Sequence, residues 1–290
     1  MIMTNHLKLT FSGHESFQCR HLWLKKGYDY KAREKFFNSE DAVVELGVGK
    51  NMVSSIRYWM KAFNLLTVDE KLTAFAHKLF ADDGWDPYLE DEASLWLLHY
   101  QLVKNGYASI YSIIFNELRR EKIEFTKENF ISFIKRKSES EKFQVNEKTL
   151  NDDFSVLLRM YMRIDSSKEK EDTFSGLLSE LDLIKAYSKG KDDFFIVENG
   201  ERNEIPEEVL LFAILDADTF DMSVNMNNIE HDYNSPGAIF ALSRAGIVAK
   251  IESLTEKFSD LVYNDNAGVK ELQFKRKKTA TAIMNHYYAN

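Results

Sequence analysis

The segment from Lys50 to Phe63 constrains this chain most, because its apolar residues recur at helical spacing and its polar residues share the other face. Val53, Ile56, Met60 and Phe63 line one side, with Met52 and Trp59 at its shoulder. At about 100° per residue the opposite side carries Asn51, Ser54, Tyr58 and Lys61, flanked by Lys50 and Arg57. That outer face holds cations, short hydrogen-bonding groups and no carboxylate, the chemistry a helix needs to lie along a nucleic-acid groove. Ahead of it, Ser39 is expected to cap a short helix running through Glu45, with Glu40 and Asp41 at its positive end. Leu46-Gly47-Val48-Gly49 then breaks that helix and re-aims the chain. Two helices joined by a glycine-containing turn are a helix-turn-helix signature, with Lys50 to Phe63 as the reader. Leu65 to Val68, a turn at Asp69-Glu70-Lys71 and then Leu72-Thr73 predict a short β-hairpin, which completes the order of a winged helix. Any helical hairpin has an apolar inner face and a polar outer one. The missing carboxylates are what tip this one toward DNA.

Composition narrows the alternatives. The chain has 290 residues, enough for two or three domains with real cores, and only 3 prolines and 12 glycines, which favours helices over a sandwich or barrel. The single cysteine, Cys19, rules out an internal disulfide framework and a Cys-rich zinc site and fits a reducing cytoplasm. Met1 to Thr10 show no charged start followed by an apolar run, and the longest apolar stretch, Val209 to Leu215, is too short to span a membrane. The net charge is −8, but Met1 to Leu79 contain twelve Lys or Arg against eight Asp or Glu, a local +4 that leaves −12 for the rest. A weakly basic head on an acidic body turns the head toward phosphates and leaves the body to dock proteins.

Three parts follow from the pattern. Residues 1–105 form a winged helix-turn-helix, in which Phe11 to Phe17 hold the adjacent titratable pair His14 and Glu15, and Arg20 to Lys26 suggest a helix placing Lys25 and Lys26 on phosphate. Neighbouring residues diverge on either a strand or a helix, so His14 and Glu15 do not readily share one target, and no His-x-x-x-His spacing supplies a metal partner. Hydrogen bonds to loop backbone are the simpler role. Glu92 to Val103 predict an apolar helix with His99 as a buried, hydrogen-bonded core histidine. Residues 106–204 read as a second winged-helix-like module: a helix with Ile110, Ile113, Ile114 and Leu118; Lys127 to Lys137 capped by Thr126; Thr149 to Met162 capped by Asn146. Asp165 to Thr173 are expected as a solvated loop. A hairpin then joins Leu183–Tyr187 to Phe194–Val197 through a turn at Ser188 to Lys191. Glu147, Asn151, Asp152 and Asp153 open its third helix, so this module suits protein better than DNA. Residues 205–290 hold a helix opened by Pro206, a helix from Ile239 to Ala245 continued by Ile247 to Phe258, and a hairpin of Leu261–Tyr263 and Val269–Phe274 turning at Asn264 to Asn266. The basic run Lys275-Arg276-Lys277-Lys278 is either a second phosphate-contacting arm or a solubilising linker.

The strings FSGHESFQCRHLWLKKGYD, LGVGKNMVSSIRYWMKAFNLL and DPYLEDEASLWLLHY, with the later Asn234-Ser235-Pro236-Gly237, resemble a bacterial domain-of-unknown-function family over nearly the whole chain. That resemblance implies a setting beside phosphoadenosine-phosphosulfate-reductase-like proteins in DNA phosphorothioation and defence islands. It carries over no catalytic position.

Catalytic signatures are weak. Asp265, Glu271 and Lys275 follow the order of a restriction-type Mg²⁺ site, but Glu271 and Lys275 are too far apart for its acidic-x-Lys triplet. Gly47-Val48-Gly49-Lys50-Asn51 lacks the glycine spacing and the hydroxyl of a phosphate-binding loop, and no Gly-x-Ser-x-Gly elbow occurs. The sequence therefore predicts a mainly α chain with small β-hairpins (α+β), built of tandem winged-helix or helix-turn-helix modules. Its expected role is a non-enzymatic, cytoplasmic, double-stranded-DNA-binding accessory subunit without cofactor or metal, partnering a sulfur-handling or other defence enzyme. A docking adaptor that never touches DNA, and an enzyme centred on His14 and Glu15, are the alternatives.

Overall fold

The computed structural model describes residues 9–163, 175–266 and 269–289; the loop expected at Asp165 to Thr173 lies outside them, as do the first eight residues. The chain is a mixed α+β fold, mainly helical, with two three-stranded antiparallel sheets.

The first part runs α1 (Trp23–Ala32), α2 (Ala42–Leu46), α3 (Lys50–Ala62), α4 (Ala74–Phe80) and α5 (Glu92–Asn105). Gly47 ends α2 at φ 64°, ψ 37°, donating its N–H back to the Val43 and Val44 carbonyls, and a residue without Cβ takes this left-handed cap at no steric cost. The apolar stripe of α3 buries Val53, Ile56, Met60 and Phe63, with Trp59. Helix α1 crosses it so closely that a Cβ on Gly27 would stand 2.9 Å from Met60 Sδ and 3.0 Å from Ile56 Cγ2. Ser39 does not cap α2. Its hydroxyl bonds Tyr30 and the Phe36 carbonyl instead, and α2 starts after Asp41 with no side-chain cap. The hairpin after α3 shrinks to one antiparallel bridge, Leu66 with Leu72.

The second part begins with α6 (Ser109–Ile113), widens into a π-turn over Ile114–Leu118 and ends in α7 (Arg119–Glu121). Then come β1 (Glu124–Phe125), α8 (Lys127–Glu141), α9 (Glu147–Tyr161), β2 (Lys185–Lys189) and β3 (Asp192–Ile196). Thr126 and Asn146 cap α8 and α9 as their sequence positions predict. The hairpin turn is tighter than expected, because β2 continues to Lys189 and Gly190 reverses the chain at φ 70°. Strand β1 joins the hairpin through β3, giving the order β1-β3-β2.

The third part runs in a similar order with one helix more before its hairpin: α10 (Glu207–Ala217), β4 (Ser223–Asn225), α11 (Met226–His231), α12 (Pro236–Ile239), α13 (Arg244–Lys257), β5 (Leu261–Asn266) and β6 (Val269–Phe274), closed by α14 (Ala280–Tyr287). Its sheet order is β4-β6-β5, the same first-third-second arrangement. The continuous helix expected from Ile239 to Ala245 is absent. The helix stops at Ile239, Ala241 turns left-handed at φ 51°, Leu242 pairs with Gly200, and Ser243 caps a new helix.

Helix α5 is the hub, buried at every position from Ala93 to Val103. His99 on it accepts from the Tyr161 hydroxyl of α9 at Nδ1 (2.7 Å) and donates from Nε2 to the Ile239 carbonyl of α12 (2.8 Å). Burial pushes its pKa down to about 3, so the ring is neutral and both nitrogens are satisfied. Helix α14 returns to the first part, where Trp85 donates to Asn285 (2.9 Å) and its ring stacks on Tyr288 (5.7 Å).

Candidate nucleic-acid interface

The outward face of α3 divides into two halves. At its N-terminal end Lys50, Asn51 and Ser54 are exposed, and none of their side chains has a hydrogen-bond or ion partner among the described residues. Toward the C-terminal end the surface differs from its sequence expectation. Tyr58 is buried, 6% exposed, because the Phe11–Phe17 loop folds over it. A Cβ on Gly13 would meet the Tyr58 ring at 2.8 Å, and the ring also packs 5.7 Å from His14 and 5.4 Å from Tyr107. Arg57 and Lys61 both reach Glu70 at the tip of the turn that follows, Lys61 Nζ at 3.1 Å, and both meet the same oxygen, Oε1. Burial raises the Glu70 pKa, but hydrogen bonds from Arg57 and Lys61 outweigh it and hold the carboxyl below its ordinary range.

The other predicted phosphate contacts are drawn inward. Lys25 is 8% exposed, its Nζ held by Asp29 at 2.7 Å and by the Phe80 carbonyl at 3.3 Å. Lys26 is exposed, yet its Nζ lies on the Leu46 carbonyl at 3.3 Å, where a cation satisfies the end of α2. The basic run is no free arm either. Lys275 donates to the Ser259 carbonyl (3.0 Å), Arg276 and Lys278 lie 3.3 and 3.5 Å from Asp260, and Lys277 binds Asp218 (3.0 Å) and the Phe220 carbonyl (2.7 Å). These four side chains tie the end of β6 to its neighbours.

Helix α9 moves the opposite way. Glu147 pairs with Lys135 at 2.6 Å, and Asp153, read from sequence as one of the carboxylates that would face phosphate unfavourably, is 2% exposed. Its Oδ1 accepts from the Ser12 N–H and from His14 Nε2, each at 2.8 Å. The Ser16 N–H donates to His14 Nδ1 at 3.1 Å, which fixes the proton on Nε2. Arg159 completes the tie, donating to Gln18 (3.1 Å) and to the Ser16 carbonyl (2.7 Å). The bond to loop backbone expected of His14 is present. Glu15 is exposed and makes no side-chain bond among the described residues. His14 and Asp153 lie 139 residues apart, a pairing that local spacing gives no means of finding, and nothing in the sequence marked Glu70 as a partner for α3.

A family profile described as a protein of unknown function, DUF4007, matches residues 11–288. The chain belongs to that family. The fold is similar to that of a magnesium-bound SspB crystal structure, at 26% identity and a TM-score of 0.83, covering 97% of this chain and 88% of that one. A second SspB crystal structure gives 28% identity and a TM-score of 0.81 with the same coverage. No curated protein matches. The described residues of this DUF4007 chain hold no group of three or more His, Cys, Asp or Glu that could grip a metal, so they do not fit an all-protein cage for magnesium. No described helix is long and apolar enough to cross a membrane.

Proposed function

We propose that this chain is a DNA-binding accessory subunit of a sulfur-based DNA-modification or phage-defence system, acting beside a phosphoadenosine-phosphosulfate-reductase-like or other defence enzyme. The observation that carries this is the open N-terminal half of α3. Lys50, Asn51 and Ser54 stand unpartnered and exposed at the end of a reader helix that helix-turn-helix proteins direct at base edges. The shared order of helix, strand, helices and hairpin, with two helices before the hairpin in the second part and three in the third, and the matching sheet orders support winged-helix modules in both parts. The genomic setting implied by the family resemblance supplies the sulfur and defence context.

Fluorescence anisotropy with a labelled duplex at several salt concentrations tests the proposal. Binding should weaken steeply with salt, and Lys50→Ala with Asn51→Ala should weaken it further. No binding by the intact chain at low salt removes the proposal in favour of a docking adaptor, which Arg57 and Lys61 held on Glu70 would suit. An accessory role also requires supercoiled plasmid to stay intact when incubated with the protein and Mg²⁺. Conversion to open circles replaces it with an enzyme.

A further inference from the structure

Arg57 and Lys61 lie one helical turn apart and converge on a single oxygen, Oε1 of Glu70. A guanidinium and an ammonium meeting at one acidic oxygen is how proteins hold a phosphate oxygen. The carboxylate here comes from outside the helix, on a short turn closed by the Leu66–Leu72 bridge and by its own hydrogen bonds, Thr67 N–H to the Lys71 carbonyl (2.9 Å) and Glu70 N–H to the Thr67 carbonyl (3.0 Å). Glu70 sits in the left-handed region at φ 63°, and Thr67, Val68, Asp69 and Lys71 around it are exposed, so the tip of the turn packs little against α3 although Leu65 and Leu66 at its base are buried. Lys50 and Ser54 continue the same stripe, at helical spacing with Arg57 and Lys61, and they are open. The stripe is thus a track for anions with its last station filled.

We propose that Arg57 and Lys61 form a phosphodiester-binding site, which Glu70 occupies in cis and leaves when a nucleic-acid backbone arrives. This rests on the DNA-binding role of α3. The exchange is charge-balanced at the site, one anion replacing another, and no bond is made or broken. Its effect is discrimination: a lone phosphate competes poorly with a tethered carboxylate, whereas a duplex that also engages Lys50, Asn51 and Ser54 displaces it.

Glu70→Gln, which keeps an oxygen acceptor and removes the charge, tests this in the full chain. Duplex binding at fixed salt should tighten about fivefold, the scale of a half-exposed ion pair. Adding Arg57→Ala and Lys61→Ala to Glu70→Gln should abolish that gain. In a second measurement, the Arg57 Nε–H resonance is followed by NMR during titration with inorganic phosphate. Glu70→Gln should show a saturable shift at about fivefold lower phosphate than the natural chain. If the natural chain binds duplex and Glu70→Gln binds no more tightly, the cis occupant is disproved while DNA binding stands. If neither binds duplex but phosphate still moves the Arg57 signal in Glu70→Gln, the anion site survives and the DNA role fails. No phosphate-dependent shift in either protein overturns the site itself.

Discussion

Helices α3 and α9 each follow another helix and precede a hairpin, yet their own charges suggest opposite uses. In sequence α3 is cationic on its outer face and α9 opens with carboxylates. The folded chain crosses these over. Glu70 offsets one of the two cations on the C-terminal half of α3, while Lys135 and the buried His14 pair with Glu147 and Asp153 of α9 and leave Asp152 as the exposed acid near its start with no hydrogen-bond or ion-pair partner among the described residues. The charge written on a helix face is therefore not the charge its surface presents. Partners on other elements decide that, and they can lie a turn away or 139 residues away.

The largest effect that would break this contrast is at Asp153. Asp153→Ala leaves the buried His14 Nε2–H and the Ser12 N–H without their acceptor, and should cost about 3 kcal/mol in urea unfolding. Asp152→Ala, a residue away and exposed, should stay within about 0.5 kcal/mol. A loss below about 1 kcal/mol at Asp153 would mean that α9 is not tied down by its acid.

Acid sensitivity comes next, through the anchor at the other end of α9. His99, which accepts from Tyr161, has its pKa lowered by burial from 6.5 to about 3 in the folded chain. Between those values the unfolded chain takes a proton that the native ring refuses, so stability rises with pH from about 3 to 6.5 and this contribution is flat above. Melting temperatures across that window should fall on acidification, and His99→Gln should flatten the dependence while lowering stability throughout. An unchanged profile would show the ring is not refused its proton.

How well the two helices could be read in advance differs for the same reason. The extent of α3, the break at Gly47 before it and its buried stripe were all legible, because each depends on residues within a few positions. The caps at Thr126 and Asn146 were local in the same way. Strands β1 and β4, two and three residues long, were not, since they exist only by pairing with hairpins far along the chain. Tyr58 lies on the polar side of its helix and is buried because Gly13 covers it, a contact without any signal at helical spacing. Outward placing was legible at Lys50, Asn51 and Ser54, because nothing distant intervenes there. It was misjudged at Lys25, Tyr58 and the Lys275–Lys278 run, where something does.

Two smaller tests sharpen the contrast. Lys50→Ala should flatten the salt dependence of duplex binding by about 0.9 per phosphate contact, and Arg57→Ala in the natural chain should weaken binding less than Lys50→Ala does, because what Arg57 gains from a phosphate is offset by the Glu70 contact it gives up. Equal effects would restore the uniform cationic face read from sequence. Lys135→Ala, which frees Glu147 at an exposed pair, should alter stability by no more than about 0.5 kcal/mol.

His99 gives the chain a property that its repeated architecture conceals. Parts laid down in chain order suggest pieces that could be cut apart and studied alone, but a single imidazole on the first answers to a hydroxyl on the second and a carbonyl on the third. A fragment ending before residue 205 would leave its Nε2–H facing an empty socket where Ile239 had been. The blocks have become organs of one body, and no scissors placed between them would yield a faithful part.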